Sequence, residues 1–362
     1  MTSPPMPSAS ITPPALPSSV LSAALAAVTA RRDLSQDQMA RAVSAIMDGE
    51  ATAAQIAGFL VAVRMKGETV EEIAGAATAM RARATAVRGA TADGLPLIDT
   101  CGTGGDGAGT FNVSTAAAFV VAGAGFRVAK HGNRSVSSRC GSADVLEHLG
   151  LDLAAPPALL ERALAEAGMV FLFAPALHQA MRHAAAPRRE LGLRTIFNLL
   201  GPLTNPAGAT VQLVGVYDAG LTRPVAEVLG RLGCQGALVV HGEGGLDEIS
   251  LSGPTHASAL KAGQVRDYII NPEDLGFRLV PIEAVSGAGS AENAEVLLRI
   301  LKGEPGPRAD IVVLNAAGAL VAAGLAWPEA VAAARDSLAS GAALAKLEAL
   351  LAVCGTRPNG AS

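Results

Sequence analysis

Apolar and polar residues alternate with a helical period through the first part of the chain. Between residues 21 and 88, stretches rich in Ala, Leu and Val are separated by Asp, Gln, Glu and Arg, as expected where short helices bury one face. Ser35 with Gln38 and Thr69 with Glu72 have the spacing of a capping box, in which each side chain bonds the other residue's backbone N–H. The pattern predicts a small bundle of short helices.

Beyond residue 90 the pattern changes to short apolar runs separated by turns and helical stretches. Such runs are typical of buried strands in an α/β domain with a mostly parallel central sheet. We predict strands at residues 95–98, 126–129, 169–173, 211–217 and 237–241. Residues 261–264 predict the turn of a hairpin between 257–260 and 265–270, and the chain after Ala291 is predicted to be largely helical to Cys354.

The domain boundaries follow from composition. Residues 1–19 are rich in Pro and Ser without an early basic residue, so they predict a disordered tail and not a signal peptide. We predict a helical domain at 20–90, with 90–94 as the link into the sheet, and an α/β domain at 91–362. No apolar run has the length of a membrane span, because residues 312–326 are interrupted by Asn315 and glycines and predict a buried helix.

A glycine-rich loop follows the first predicted strand. Residues 99–115 have the sequence DTCGTGGDGAGTFNVST, with five glycines between positions 102 and 109. Glycines let backbone N–H groups approach a ligand closely, and Ser114 and Thr115 are predicted to cap the following helix, whose N-terminus favours an anion. A flexible surface turn before a helix explains the same residues equally well, because glycine-rich loops are common.

A second polar loop follows the second predicted strand and changes that balance. Residues 130–138 have the sequence KHGNRSVSS, and another helix is predicted from residues 141–144. Loops after successive parallel strands meet at the carboxyl edge of the sheet, where α/β proteins bind ligands. A solvated basic loop is the alternative, but the convergence favours a phosphate or diphosphate site. The chain lacks the P-loop pattern and the third glycine of the dinucleotide fingerprint, which leaves a sugar phosphate or diphosphate.

The charge and cysteine content of the chain indicate which classes of binding partner and which cellular compartment to expect. The chain has 28 Lys and Arg against 32 Asp and Glu, a net charge of −4, so it has no general field for nucleic acid or an anionic membrane. Attraction for a polyanion must therefore come from local cations, which are Lys130, Arg134, Arg139, Arg188, Arg189 and Arg194. The four cysteines have no disulfide or C-x-x-C pattern, which favours the cytoplasm. Cys101 and Cys140 flank the loops, where small apolar filling is favoured over a catalytic thiol.

The two loops begin a series of motifs that resembles the anthranilate phosphoribosyltransferases. RRELG at 188–192, RTIFNLLGPLTNP at 194–206 and GLDEIS at 245–250 follow in the family's order, and the resemblance covers nearly everything after about residue 20. It implies a small helical N-terminal domain, completed by part of 189–208, and a larger α/β domain of the nucleoside phosphorylase/phosphoribosyltransferase type. It also implies a magnesium-dependent homodimer that transfers the 5-phosphoribosyl group of 5-phosphoribosyl 1-diphosphate (PRPP) to anthranilate and releases diphosphate, the second step of tryptophan synthesis from chorismate.

Matched position by position, the resemblance also implies the PRPP-binding residues. They are Gly102, Gly105, Asp106, Thr110, Asn112, Val113, Ser114, Thr115, Lys130, His131, Gly132, Asn133, Arg134, Ser135, Val136, Ser137, Ser138 and Ser142. Lys130, Asp247 and Glu248 are expected to act electrostatically. No residue is assigned as an acid or base, because the aryl amine of the acceptor is neutral near pH 7 and needs no strong base.

An adjacent pair of acids, Asp247 and Glu248, lies just after the strand predicted at 237–241. Magnesium prefers oxygen ligands and is usually shared between one or two carboxylates and substrate phosphates. Together with Ser114 the pair matches the family's metal positions, which implies one or two Mg²⁺ ions. Without the resemblance, two solvated loop acids are the favoured interpretation. The family often has an acid where Gly244 stands, which leaves an altered outer metal shell open.

For the acceptor, the resemblance implies Gly102, Asn133 and Arg188. A guanidinium group binds a carboxylate bidentately, so Arg188 is expected to hold the carboxylate of anthranilate. Arg189 competes for that role, because Pro187 stands one position later than the family pattern expects. Residues that line the acceptor's route in the family are matched by His131, His178 and Pro202; taken alone, a residue such as His178 is more often a packing histidine.

Two other functions compete with this one. Pyrimidine nucleoside phosphorylases have a similar fold and a related glycine loop, but a nucleoside has neither a diphosphate nor an acceptor carboxylate to explain Asn133, Arg188 and the acids at 247–248. Nucleic-acid binding by relatives that lost synthesis predicts a basic groove and eroded motifs, which the negative charge and intact motifs oppose. The expected partners are therefore two small molecules, without nucleic acid or membrane.

Overall fold

The computed structural model describes residues 18–88, 95–135 and 140–356. Its α-helices are, in chain order, α1 (Ser19–Thr29), α2 (Gln36–Met47), α3 (Ala53–Lys66), α4 (Val70–Arg81), α5 (Val113–Gly123), α6 (Ser142–His148), α7 (Pro157–Ala167), α8 (Ala174–Leu177), α9 (Arg182–Leu191), α10 (Phe197–Leu203), α11 (Thr222–Arg231), α12 (Ser290–Leu301), α13 (Pro307–Ala322), α14 (Trp327–Ala339) and α15 (Ala342–Cys354). Its strands are β1 (Leu97–Gly102), β2 (Arg127–Gly132), β3 (Met169–Phe173), β4 (Val211–Gly215), β5 (Gly236–Gly242), β6 (Thr255–Lys261) and β7 (Gln264–Ile270). Short 3₁₀ helices lie at Gln179–Met181, Ala219–Leu221, Pro272–Leu275 and Ile282–Val285.

The first four helices begin at capped N-termini. Both predicted capping boxes are confirmed, the first at the start of α2 and the second at the start of α4. The tail prediction extends too far, because the hydroxyl of Ser18 accepts from the backbone N–H of Leu21 and Ser19 already begins α1. Residues 1–17 of that tail and the predicted link at 90–94 lie outside the described residues.

The seven strands form one sheet in the order β3-β2-β1-β4-β5-β6-β7. The first five strands in that order are parallel, and β6 and β7 add the predicted antiparallel hairpin. Its two-residue turn has Ala262 and Gly263 at positive φ, as a type I′ turn requires. The first strand starts two residues later than predicted, after Pro96, and continues through the residues expected to open the glycine loop.

Both faces of the five parallel strands are buried, as expected for a parallel sheet. In β4, Leu213 packs in the cluster that contains α5, α13 and α15, and its neighbour Val214 packs in the cluster that contains α1–α4, α10 and α11. The N-terminal helices therefore share buried apolar contacts with one face of the sheet. Phe197 and Leu200 of α10 lie in the same cluster, in the segment expected to complete the helical domain. The domain boundaries themselves stay a prediction.

Within the described part of the chain, no single helix is long and apolar enough to cross a membrane. Among these residues, one pair of consecutive helices is long and apolar enough when the two are taken together, Trp327–Ala339 with Ala342–Cys354. The two helices of this pair are bent by 64° relative to each other.

Candidate active site

Four parallel strands end in glycine at the same edge of the sheet. The terminal residues of β1, β2, β4 and β5 are Gly102, Gly132, Gly215 and Gly242. Since β1 pairs directly with β2 and with β4, the two polar loops start side by side, as predicted. The segment with the adjacent acids follows β5 at this edge.

Lys130 is the central cation of this edge and is only 2% exposed. Its Nζ donates to the carbonyl of Thr100 at 2.5 Å and to the hydroxyl of Ser114 at 3.2 Å. Burial lowers the pKa of Lys130, and the negative charges of Asp99 and Glu248 oppose that shift. One ammonium group thus joins β1, β2 and the first turn of α5.

The two adjacent acids bind the backbone of the first loop. Asp247 Oδ2 accepts from the N–H of Gly104 at 2.8 Å, and Glu248 Oε1 accepts from the N–H of Ser114 at 3.0 Å. Glu248 therefore satisfies a free N–H group in the first turn of α5. This corrects the prediction that Ser114 and Thr115 cap the helix, because α5 begins at Val113 and a distant carboxylate takes the N-terminal donor.

Burial raises the pKa values of both acids. For Asp247 the nearby charge of Asp106 adds to the burial effect, and for Glu248 the charge of Asp247 does, while Lys130 opposes the rise. Carboxylates in such surroundings need a further positive charge to stay ionised. The arrangement is therefore suited to a cation that arrives from outside the chain.

Close packing fixes the acidic segment against two strand ends. A Cβ atom at Gly102 would overlap the carboxylate of Asp247, and one at Gly215 would overlap the backbone of Asp247. Only glycine leaves room for this approach. Gly102 was predicted to contact both substrates, and the structure places it directly beside the predicted metal acids.

A buried asparagine of α13 holds the residue after the acids. Asn315 is 0% exposed, and its Oδ1 accepts from the N–H of Ile249 at 2.8 Å. Its Nδ2 donates to the carbonyls of Ile249 and Ile311, both at 2.9 Å. The amide thus fixes the backbone immediately after Glu248. The sequence signal was a single polar residue within a long apolar helix, to which we gave no role.

The residues present fit a magnesium ion. Among the described residues, no group of three or more His, Cys, Asp or Glu side chains is arranged to hold a metal. Magnesium does not need such a group, since it retains waters and shares substrate phosphates. Of the predicted oxygen donors, Ser114 and Glu248 are hydrogen-bonded in one network with Lys130, and the charge of Asp247 acts on Glu248 from close by. In addition, Oδ2 of Asp106 is buried without a hydrogen-bond partner in the described structure.

The end of β2 is held by a second buried polar network. Asp99 Oδ1 accepts from the backbone N–H of His131 at 3.1 Å, and its Oδ2 accepts from Asn205 at 2.8 Å. Asn205 also donates to the carbonyl of Ala129 at 2.7 Å. Burial raises the pKa of Asp99 to about 6. The role of Asn205 was not predicted, although this residue lies in the GPLTNP motif at 201–206.

His131 is a neutral side chain in these surroundings. Its Nδ1 lies 3.0 Å from the carbonyl of Gly201, which can only accept, so Nδ1 carries the proton and Nε2 is unprotonated. Burial lowers the pKa of His131 to about 3, and the neighbouring His178, with ring centroids 5.1 Å apart, adds to this. Nε2 of each histidine is buried and has no partner in the described residues. The two rings are tilted by 51° to each other, and their part in lining the acceptor's route stays a prediction.

The second loop is only partly described, and Val136, Ser137 and Ser138 lie outside the described residues. Arg134, predicted to bind PRPP, pairs with Asp144 at 2.8 Å and with Glu147 at 2.7 Å. The backbone N–H of Arg134 donates to the side chain of Asn133 at 2.7 Å, and Ser142 donates to the carbonyl of Asn133 at 3.3 Å. The N–H of Ser135 donates to Asp144 at 3.4 Å. These contacts order the loop around α6 and leave Arg134 engaged with acids.

The far half of the first loop is bound to α12 and its preceding turn. Thr110 forms an isolated bridge with Ser286. Asn112 accepts from Asn293 at 3.1 Å and donates to the carbonyl of Cys140 at 3.4 Å, so it joins the two loops. The side chains of Val113 and Thr115 are buried, at 1% and 0% exposure. For these two residues, the predicted contact with PRPP has no exposed side chain to support it.

The two candidate arginines differ in environment. Arg188 is half-buried, and its Cζ lies 5.2 Å from the centre of the Phe197 ring. Burial lowers its pKa. Arg189 is exposed. Neither forms an ion pair with an acid among the described residues, so the half-buried Arg188 is the better placed to bind a carboxylate.

The cysteines have the environment of packing residues. Cys101 and Cys140 are each 8% exposed, and burial raises the pKa of both thiols. A buried thiol with a raised pKa is a poor nucleophile. This supports the interpretation of both as small apolar filling.

Known proteins match this chain along most of its length. Residues 94–344 match the α/β domain of a glycosyl transferase family, and residues 22–84 match the helical bundle domain. The anthranilate phosphoribosyltransferase of Moorella thermoacetica is 55% identical over 335 residues, which cover 92% of this chain and 98% of that one.

Solved structures of anthranilate phosphoribosyltransferases are also similar to this chain along most of its length. Anthranilate phosphoribosyltransferase from Thermus thermophilus has a TM-score of 0.86 and 47% identity, covering 91% of this chain and 99% of that one. The enzyme from Saccharomyces cerevisiae in complex with PRPP and Mg has a TM-score of 0.84 and 27% identity, covering 93% and 98%. Its complex with 4-fluoroanthranilate has a TM-score of 0.82 and 27% identity, covering 92% and 98%.

The hydrogen bonds between Asn315 and the backbone of Ile249 predict an effect on the free energy of unfolding. Asn315→Leu should lower the free energy of unfolding by about 2–4 kcal/mol, because the N–H and carbonyl of Ile249 lose their partner inside the core. Urea unfolding measures this against the exposed control Asn271→Ala, expected to change it by about 0.5 kcal/mol or less. Equal unfolding free energies for the two variants would show that Asn315 does not hold the segment.

Proposed function

The chain belongs to the anthranilate phosphoribosyltransferase family, and on that premise we propose how its two loops, Lys130 and the acids at 247–248 carry out the reaction. The reaction transfers the 5-phosphoribosyl group of PRPP to the amine of anthranilate and gives N-(5-phosphoribosyl)anthranilate and diphosphate. The observation that carries the assignment of residues is the network in which Asp247, Glu248 and Lys130 all bind the first loop or the helix that follows it.

Departure of diphosphate is the difficult step, because it leaves positive charge on the ribose. The N–H groups of the glycine loop and the ammonium of Lys130 are fixed before the substrate binds, so they stabilise the leaving group without reorganising. Ser114, Asp247 and Glu248 would hold the magnesium ion. When bound, magnesium neutralises charge on the diphosphate. Burial lowers the pKa of Lys130, and the carboxylates around it oppose that shift because they favour its charged form.

The acceptor needs placement more than proton transfer. Its amine is neutral near pH 7 and already has a lone pair. Arg188 holds the carboxylate, with the Phe197 ring against the guanidinium group. Asn133 orients the acceptor, and the backbone of Gly102 contacts it from the end of β1. Holding the amine opposite the leaving group supplies much of the remaining acceleration.

We also propose that the protein works as a cytoplasmic homodimer. Val20 of α1, Met65 of α3 and Leu193 after α9 are exposed apolar side chains, at 41%, 70% and 52%. The helix α3 contacts both α1 and α9, so these residues give the helical face a surface for a second copy. None of the four cysteines, all of which lie in the described residues, forms a disulfide, which suits a reducing compartment.

The reaction predicts a direct assay. Purified protein with PRPP, Mg²⁺ and anthranilate should consume anthranilate, followed as loss of its fluorescence. The loss should stop without PRPP or with a chelator, because both the donor and the metal are required. No loss under complete conditions, with folded protein, would contradict the proposed function and direct the search to nucleoside phosphorolysis.

The metal site predicts a double variant. Asp247→Asn with Glu248→Gln should lower kcat at least about 100-fold, because electrostatic stabilisation of the leaving group is lost. The same variant should lose the Mn²⁺ bound in the presence of PRPP, measured by electron paramagnetic resonance. Glu243→Gln is the control, since Glu243 is an exposed acid in the same turn. Normal Mn²⁺ binding by the double variant would place the metal elsewhere.

The acceptor site predicts that one substitution changes the KM for anthranilate and not the KM for PRPP. Arg188→Ala should raise the KM for anthranilate about 10- to 100-fold, the size expected for a lost bidentate charge-assisted bond, and leave the KM for PRPP within about twofold. Steady-state kinetics with each substrate varied in turn measure both constants. Arg189→Ala is the matched comparison; a larger rise in that variant would transfer the role to Arg189.

A further inference from the structure

The link between α9 and α10 reaches across to the first loop through one side chain. Arg194 lies in this link, and its Nη2 donates to the carbonyl of Gly105. Its Cζ lies 4.4 Å from the centre of the Tyr217 ring, so the guanidinium group is held over an aromatic face just after β4. Arg194 was predicted only as one of several cations that attract a polyanion. In the structure its side chain instead contacts two residues of this chain, the carbonyl of Gly105 and the ring of Tyr217.

The first loop is thereby anchored from two sides at adjacent glycines. The N–H of Gly104 donates to Asp247 at 2.8 Å, on the side of the α/β domain. The carbonyl of Gly105 accepts from Arg194, on the side of the helices. A glycine-rich loop has much conformational freedom to lose, so these two anchors determine where its N–H groups point.

The helical side of this anchor continues into the N-terminal bundle. Arg64 of α3 donates through Nη1 to the carbonyl of Arg194 at 2.6 Å. The Tyr217 ring is fixed as well, because its backbone N–H donates to the hydroxyl of Thr103 at 3.2 Å. The series Arg64, Arg194, Gly105 thus runs from the helical bundle to the donor loop by hydrogen bonds alone.

The same link carries the proposed acceptor residues. Arg188 lies in α9, immediately before the link, and Phe197 begins α10, immediately after it. A change in the position of the link on acceptor binding would therefore be transmitted to Gly105 through Arg194. Linkage requires the reverse too, so ordering of the loop by PRPP favours the acceptor-binding position of the link.

We propose that Arg194 is a positioning residue that couples acceptor binding to the placement of the PRPP loop; this rests on the proposed function. It acts through the carbonyl of Gly105 and the Tyr217 ring, and not as a direct ligand of the diphosphate. The side chain is exposed, so its replacement does not open the core.

The proposal is tested first by PRPP binding. Isothermal titration calorimetry measures the Kd of PRPP with Mg²⁺, alone and with benzoate, which has a ring and carboxylate but no amine to react. In the native protein benzoate should tighten PRPP binding. In Arg194→Ala the Kd of PRPP should rise about tenfold and the effect of benzoate should disappear, as for loss of one charge-assisted bond with its stacking contact. An undiminished effect of benzoate in Arg194→Ala would overturn the proposal.

Three variants separate positioning from simple attraction of a polyanion. If Arg194 only supplies charge, Arg194→Lys should bind PRPP as the native protein does, and Tyr217→Leu and Arg64→Ala should have no effect. The coupling predicts instead that all three weaken PRPP binding, and that Arg64→Ala adds nothing to Arg194→Ala. The control is Arg41→Ala in α2, an exposed arginine paired only with Asp37 among the described residues.

Hydrogen exchange provides a readout that does not depend on turnover. In the absence of substrates, the amides of residues 102–109 should exchange faster in Arg194→Ala than in the native protein or in Arg41→Ala. Unchanged exchange would contradict the anchor. Failure of the proposed function is a separate outcome, since the native protein would then fail to turn over anthranilate while the exchange difference remained.

Discussion

The buried ammonium of Lys130 is the interaction on which the arrangement at the sheet edge depends. A charge that is 2% exposed requires partners, and it finds them in the carbonyl of Thr100 and the hydroxyl of Ser114. These three residues belong to β1, β2 and α5. One cation therefore sets the spacing between two strands and the start of a helix, and the glycine loop has to span the space between them.

Around this cation the acids are in excess. Asp99, Asp247 and Glu248 all have raised pKa values, because burial disfavours their charged forms. For Asp247 and Glu248 the charge of a neighbouring acid adds to this effect. A site with this balance repels a free diphosphate and suits a diphosphate that carries a divalent cation. The apparent contradiction of an acidic site for a polyanionic substrate is resolved if the metal and the substrate bind together.

The sequence predicted what local composition encodes and missed what distant partners decide. The hairpin, β3 and both capping boxes were predicted because turn residues and helix caps act within a few positions. The start of α5 was wrong, because its free N–H is taken by Glu248, 134 residues away. Arg134 was expected to be available to a phosphate, yet Asp144 and Glu147 engage it. Asn315 was noticed as an interruption in an apolar helix, but its partner Ile249 lies in another segment.

The same distinction explains the glycine loop. Its composition gives it freedom and predicts no single conformation, so its order has to come from residues outside it. Asp247 supplies one anchor from the sheet edge, and Arg194 supplies the other from the link between α9 and α10. Because the two anchors belong to segments that the proposed function gives to the metal and to the acceptor, the position of the loop depends on both segments.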